Sequence, residues 1–557
     1  MAFTVNRVSS LLPPFFPGEE LRQRCLKHLC LLLFSLACSL SLTIPLLLEG
    51  KSVTYCCIAA IPFSALVYVV VYLLSCVSLN VDDEAFKNPL VLFCCVAGSL
   101  MVVWTVGFFV LFPGCFSTDS TDILKMIWGI PFESDWFRYD SLNNHHPAFY
   151  IFLNFVAVRI GEILGFGQMG CASVVAFMHA VTLACCCGFV ACGANRLFGK
   201  KIVAILCWAF FLFDPLLVWY SVTAWKDVIF SAVFVCLALL LAEVVLRPTE
   251  FLSKRRNVVL LILFAVVSSL LRSNGFLAVG VALVVVCIVA SEPIRRFAIA
   301  STVLIIVVYL VVTGPVYHIA GVSSAHFSET VGVPLQQISR VVHDGGVLSA
   351  EEEEYLDGIL PIDEWGDLYN PVSPNPVKFS ADFNDGALEG DKLQFIYRWF
   401  AIGLENPGIY FRAWIAQTHD YWSLESTTWY IADTGYDLGD GEKKNSHLCN
   451  LLTEEDLGAA FDSVRRALPF LYSIGFMAWS MLGGLLVAFL KGRCKSAIFF
   501  LPFAALWATF LLAAPANDFR YMLSLHLAFP LFVLFAFWDF KENKGILPKE
   551  KQGESLA

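Results

Sequence analysis

Charge is scarce in this 557-residue chain: Asp, Glu, Lys and Arg make up 15% of it, where a soluble domain averages about a quarter. That scarcity excludes an ordinary soluble globule. The net charge of −10 comes with no basic stripe and no zinc-knuckle spacing, which excludes the usual nucleic-acid binders. Also missing are a P-loop, a Rossmann glycine fingerprint, a GxSxG elbow, a CxxC pair and an HExxH helix. ATP hydrolysis, dinucleotide redox chemistry, serine hydrolysis and a zinc-protease centre therefore lack support. No internal repeat or low-complexity tract is present. No cleavable signal peptide is evident, and the first apolar stretch, from about Cys25, reads as a signal anchor.

Apolar residues are what the chain has in abundance, at 58% of the total with 49 Phe, and the mean hydropathy is +0.70. Runs of about 20 apolar residues recur, each long enough to cross a hydrocarbon core of about 30 Å as a helix. The fold class read from this is an all-α polytopic membrane protein of about 12 transmembrane helices. The predicted spans are 25–48, 52–77, 89–112, 169–193, 202–221, 226–246, 257–272, 275–291, 297–316, 467–490, 496–514 and 519–538. Most of the 19 cysteines lie inside these runs as small hydrophobes. Cys115 and Cys449 fall outside them, and whether they pair is left open.

Lys and Arg accumulate on the cytoplasmic side of membrane proteins. The basic connectors are "NRLFGKK" (195–201), "RPTEFLSKRRN" (247–257), "EPIRR" (292–296), "KGRCK" (491–495) and the tail "KENKGILPKEK". One alternating path with a cytoplasmic N-terminus puts all five inside. The acidic connector "SLNVDDEAFKN" (78–88) is the exception on that path. The path closes if residues 147–167 form an interfacial helix rather than a span, since Arg159 and Glu162 would be costly in lipid. The expected organisation is then a cytoplasmic segment 1–24 and a membrane region 25–316 with an outer loop at 113–146. An inserted extracytoplasmic mixed domain follows at 317–466, then C-terminal spans at 467–538 and a cytoplasmic tail at 539–557. Within the inserted domain, 393–422 is aromatic and helical in period, which suits contact with the membrane surface.

Polar residues collect at the outer boundary. The first outer loop supplies Asp119, Asp122, Glu133, Asp135, Arg138, Asp140 and "NNHHP" (143–147). Later connectors supply Lys226 with Asp227, Arg272 with Asn274, and Asp518, Arg520 and Tyr521. Carboxylates thus come from one loop and cations from the ends of later spans. Cations clamp phosphate oxygens by charge-assisted hydrogen bonds, and a carboxylate accepts a proton from an attacking hydroxyl, so this division suits a phosphate-bearing lipid. Each residue also has a plain structural account. Acids can mark a wet helix end, adjacent His145 and His146 can start an interfacial helix, Lys226 and Asp227 can pair locally, and Arg272 and Arg520 can snorkel. What separates the two accounts is that all of them fall on one side.

The motifs "PGCFSTD", "HHPAFY", "WKDVIFS", "LRSNG", "VPLQQISR", "NPGIYFRAWI" and "DFRYML" together resemble a poorly characterised bacterial multi-spanning group. That group is related to the GT-C class of integral-membrane glycosyltransferases, which includes protein O-mannosyltransferases and aminoarabinose transferases. The resemblance covers roughly residues 89–540. It implies a sugar donor carried on a polyprenyl phosphate or pyrophosphate, a catalytic base in the first outer loop, and basic residues at later span ends on the donor phosphate. By position these are Asp119, with Asp122 in reserve, and Lys226, Arg272 and Arg520. His146, Asp227, Asn274 and Tyr521 would support them. Where some relatives have adjacent acids, "TDSTD" spaces them three apart, so either aspartate can be the base.

The expected function is inverting transfer of a sugar to an envelope glycan, lipid or protein at the outer face of a bacterial plasma membrane. No cofactor is called for, no metal ligands are assigned, and a divalent cation is left open. The rival is a transporter or lipid-linked glycan flippase, whose candidate ionisable residues are Asp214, His179 and His526.

Overall fold

In lipid the backbone must satisfy its own hydrogen bonds, and long apolar runs do so as helices. The computed structural model describes residues 21–48, 50–79, 81, 83–130, 142–290, 292, 294–424, 452–513 and 517–538. Among them every regular element is helical, with three isolated bridges and no strand. The chain is an all-α, multi-pass membrane protein. The first nine helices are α1 (Leu21–Leu48), α2 (Val53–Cys76), α3 (Pro89–Val110), α4 (Thr118–Trp128), α5 (Ala148–Ile163), α6 (Gln168–Phe198), α7 (Lys201–Phe213), α8 (Pro215–Ser221) and α9 (Lys226–Leu246).

All twelve predicted spans fall on helices, but they are not alike. Eight are long and apolar enough to cross a membrane, and a ninth forms if α7 and α8, bent by 72°, count as one. Arg255–Leu271, Ser273–Val289 and Ile474–Leu490 have 17 residues each, about 25 Å at 1.5 Å per residue. Among the described residues, the twelve expected spans are thus eight or nine full-length spans and three shorter helices.

Between its first turn and Glu243, which pairs with Arg196, helix α9 is apolar on nearly every side, the pattern of a helix with no wet face. It sits at the centre, packed by α6, Arg255–Leu271, Ala497–Ala513 and Leu523–Phe537. Helices α1 and α2 pack mainly on each other at the edge and turn apolar side chains outward.

The connectors sort onto two faces. On one, Asp83 accepts a hydrogen bond from the Ile202 amide (2.9 Å), Lys200 donates to the Asp83 carbonyl (2.9 Å), and Asn195 exchanges hydrogen bonds with the Phe86 backbone. The acidic 78–88 connector is therefore docked on the basic connector that follows α6, which removes the puzzle of its charge. Lys491 and Arg493 reach the carbonyls of Ala536 and Trp538 on the same face. The opposite face gathers the residues around 114, 176 and 222. Gly114, at φ 127°, lies where a Cβ would meet Ala176 at 2.5 Å and the Val222 carbonyl at 2.9 Å.

Helix α5 packs along the start of α6, with Gly161 on Cys171 and Tyr150 bonded to His179 (3.1 Å). Ala176 marks the end of α3, so α5 lies near that end rather than alongside α3. Arg159 pairs with Glu162 on its exposed side.

Beyond the membrane helices, Leu335, Ile338, Leu356, Trp365, Phe395 and Ile402 belong to a second, separate core. Among the described residues of 317–466 the regular elements are all helices, where a mixed domain is expected. The span from Ile294 continues through a π-turn to Ile319, and Glu454–Ala467 packs on α8. Tyr421 and Trp422 accept hydrogen bonds from Trp507 and Trp479 (both 2.7 Å), seating the 419–423 segment between membrane helices.

Candidate functional site

The stretch 113–122 folds back instead of leaving. Cys115 pairs with the 222–224 backbone through its amide to Val222 (3.0 Å) and its carbonyl to Ala224 (3.0 Å). The Trp225 indole donates to Ser117 (2.6 Å), and Ser120 donates to the Ala224 carbonyl (2.6 Å). These bonds seat the first turn of α4, carrying Asp119, against the segment that leads into Lys226. A carboxylate there also gains from the helix dipole.

Arg520 approaches from a 3-10 turn, Phe519–Met522, capped by Asp518. Its guanidinium pairs with Asp119 (3.0 Å) and Asp518 (3.0 Å) and lies 4.6 Å over the Trp225 ring. Tyr521 accepts from the same guanidinium (3.3 Å). Arg272 bridges two short helices, donates to Asn274 (3.0 Å) and pairs with Asp227, buried against the rings of Tyr521, Phe230 and Phe510. Asn274 in turn donates to Thr509 (3.2 Å).

Two groups keep unused capacity. Lys226 lies within electrostatic reach of Asp119, Arg272, Arg520 and Glu329, yet no described residue bonds its amine. His146 is 2% exposed, and neither ring nitrogen has a partner among the described residues. Burial first and Lys226 second push its imidazole well below the ordinary value, so it is neutral. Its ring lies 4.7 Å from that of His145, which contacts Glu329 (3.4 Å), itself paired with Lys378 (2.7 Å).

Burial alone would raise the Asp119 carboxyl, but the charge of Arg520, with Lys226 further off, holds it well below the usual carboxylate range. Burial and the neighbouring Asp119 push Asp122 up to about 6. The two aspartates sit one turn apart on α4 in opposite electrostatic settings.

The structure thus gathers the sequence candidates Asp119, Asp122, His146, Lys226, Asp227, Arg272, Asn274, Arg520 and Tyr521 into one neighbourhood. Arg272 departs from its expected role, because its guanidinium is occupied by Asp227 and Asn274 and caged by rings. Trp225, Ser117, Ser120 and Glu329 went unread in the sequence. Trp225 stood beside Lys226 in "TAWKD"; Glu329 has no local signal. Glu133, Asp135, Arg138, Asp140 and Cys449 lie outside the described residues.

Residues 138–551 match the family of unknown function DUF6020. The chain belongs to that family. The match takes in Lys226, Arg272 and Arg520 but starts after Asp119. No curated protein matches this DUF6020 member. Among solved structures, the crystal structure of ArnT from Cupriavidus metallidurans in the apo state is similar at 14% identity, covering 80% of this chain and 76% of that one. Its TM-score of 0.31 is too low for the likeness to bear on function.

Proposed function

We propose that this DUF6020 protein is a membrane glycosyltransferase that moves a sugar from a polyprenyl phosphate or pyrophosphate to an envelope acceptor. The observation that carries this reading is the unbonded amine of Lys226 beside the Asp119–Arg520 pair. A partly buried cation without a partner is suited to an anionic ligand, and Arg520 and neutral His146 add donors that suit phosphate oxygens. The acceptor oxygen would attack the anomeric carbon while the carbon–oxygen bond to phosphate breaks on the opposite side, with inversion. The proton would pass to a carboxylate of α4, and the charge left on phosphate would be offset by Lys226 and Arg520. Such a reaction needs no redox change and no nucleotide site.

In this reading Lys226 and Arg520 hold the phosphate, and Arg272 orients Asp227 and Tyr521 from behind. Asp119 is the base. An anion at Arg520 would compete with Asp119 and raise its proton affinity as the donor binds. Asp122, already shifted towards neutrality, is the alternative base. The site would face the outer side of a bacterial plasma membrane, with the basic connectors and both termini inside and 317–466 outside.

A second reading, transport, is favoured by one observation: Asp214 and His526 meet at the bend between α7 and α8. Purified protein with a labelled polyprenyl-phosphate sugar separates the two. Release or transfer of the sugar supports the enzyme, whereas movement across a vesicle with the donor intact supports transport.

A further inference from the structure

The bend between α7 and α8 holds a polar cluster that the proposed chemistry does not use. Asp214 ends α7 and caps α8, accepting from the Leu216 amide (3.0 Å) and the Tyr472 hydroxyl (3.0 Å) through one carboxylate oxygen. Its other oxygen lies 2.5 Å from His526 Nε2. The remaining ring nitrogen of His526, Nδ1, lies 3.1 Å from the Leu471 carbonyl. All three side chains are buried.

The hydrogens can be counted. A carbonyl only accepts, so Nδ1 of His526 must carry a hydrogen. A neutral imidazole protonated there has a bare Nε2, and an ionised carboxylate is also only an acceptor. Two acceptors do not sit 2.5 Å apart without a hydrogen between them. The pair therefore holds one proton more than a neutral histidine and an ionised aspartate would. Imidazolium with carboxylate and imidazole with carboxylic acid are two descriptions of that count.

The cluster also ties together the two chain segments that meet at the candidate site. From Asp214, α8 leads to residues 222–226, to which the Asp119 loop is bonded. From His526 the chain runs back six positions to Arg520. Between them the rings form a continuous chain of contacts: His526 edge-on to Phe519 (5.3 Å), Phe519 stacked on Tyr220 (6.4 Å) and Tyr220 tilted against Trp225 (6.0 Å). Arg520 rests on Trp225, which also bonds Ser117, two residues before Asp119.

We infer that Asp214, His526 and Tyr472 form a clasp that binds one proton inside the membrane domain and positions Arg520 against Asp119. They are positioning residues, acting through this chain of ring contacts. Removing the proton from the bridge would set two lone pairs against each other and open the joint between α8 and the Leu523–Phe537 helix.

The proton count is tested on full-length protein in phosphatidylcholine–phosphatidylglycerol nanodiscs. The ¹⁵N-histidine spectrum is compared with that of His526→Gln, and the infrared spectrum with that of Asp214→Asn. Protonation of both ring nitrogens, or a protonated-carboxyl band assigned to Asp214, supports the clasp. One bare ring nitrogen, either of the two, together with an ionised Asp214 overturns it.

Positioning is tested with the Trp225 emission, taken as the difference from Trp225→Phe. Asn at 214 can donate to Nε2 and still accept from Tyr472 and Leu216, so Asp214→Asn leaves that emission unchanged. Asp214→Leu and His526→Leu shift it. A second arm, resting on the proposed phosphate role, titrates polyprenyl phosphate. The Leu variants should bind about tenfold more weakly, the worth of one hydrogen bond to a charged group, and Asp214→Asn should bind like wild type. Folded Leu variants with wild-type Trp225 emission contradict the positioning role. Wild-type protein that binds no polyprenyl phosphate sinks the phosphate reading, leaving the proton count and the emission to decide the clasp.

Discussion

Two polar clusters lie within a few helical turns of each other and are built on opposite principles. In the Asp214–His526–Tyr472 clasp the carboxylate oxygens and both ring nitrogens have partners, and apolar side chains close over them. In the Asp119–Arg520 cluster, Lys226 and both nitrogens of His146 have none among the described residues. A satisfied buried network specifies structure, and one left short of partners suits a ligand that completes it. The contrast divides residues of similar composition into those that hold the fold and those that meet a substrate.

The largest effect that sharpens this division is expected at Asp119. Asp119→Asn should cut sugar transfer by about 10²–10⁴-fold, the usual worth of a general base, in a protein that still folds but melts somewhat earlier, because the ion pair with Arg520 is lost. Asp122→Asn retaining most of the rate would assign the base, and the reverse pattern would move it one turn along α4.

Arg272 tests the other side. If it is structural, Arg272→Gln leaves Asp227 buried and unpaired and should cost about 3–5 kcal/mol of stability, read as a fall in melting temperature in detergent. Lys226→Met should do the opposite. It breaks no bond to a described residue, so stability should hold within about 0.5 kcal/mol, while polyprenyl-phosphate binding should weaken about tenfold or more. A Lys226 variant that melts early would erase the contrast.

The pH dependence separates the two aspartates. Asp122 binds its proton more tightly in the fold than its ordinary value of 3.8, up to about 6. Its contribution to stability is therefore full below 3.8 and lost as pH rises through about 6. Melting temperature should fall across that window relative to Asp122→Asn, in which this component is absent. The kcat/KM for transfer, which reports the free enzyme, should show an inflection near 6 only if Asp122 is the base, because without donor Asp119 is held ionised well below it. The smallest effect belongs to Arg159. Its pair with Glu162 is exposed, and Arg159→Gln should change stability by no more than about 1 kcal/mol.

The sequence displays the membrane class and the place of each helix because apolar length is a local property. It overstates the full-length spans because 17-residue helices such as Ser273–Val289 are as apolar as longer ones. It points to Asp119, Lys226 and Arg520 because each is a charged residue at the edge of a long apolar run. It does not display which cation is free. Arg272 and Lys226 look alike in sequence, and only packing gives one of them Asp227 as a partner. Glu329 reaches His145 across 184 positions of chain, a contact no local pattern encodes. Asp214 and His526 stood out as ionisable residues inside spans, but their meeting depends on the bend between α7 and α8.

The most direct measurement presents purified protein in nanodiscs with a panel of labelled polyprenyl-phosphate sugars and follows label leaving the lipid. The proposed function requires that wild type consume at least one donor and that Asp119→Asn and Lys226→Met, equally folded, consume it far more slowly. Equal consumption by all three, or a wild type that leaves every donor intact while carrying it across a vesicle membrane, would contradict it.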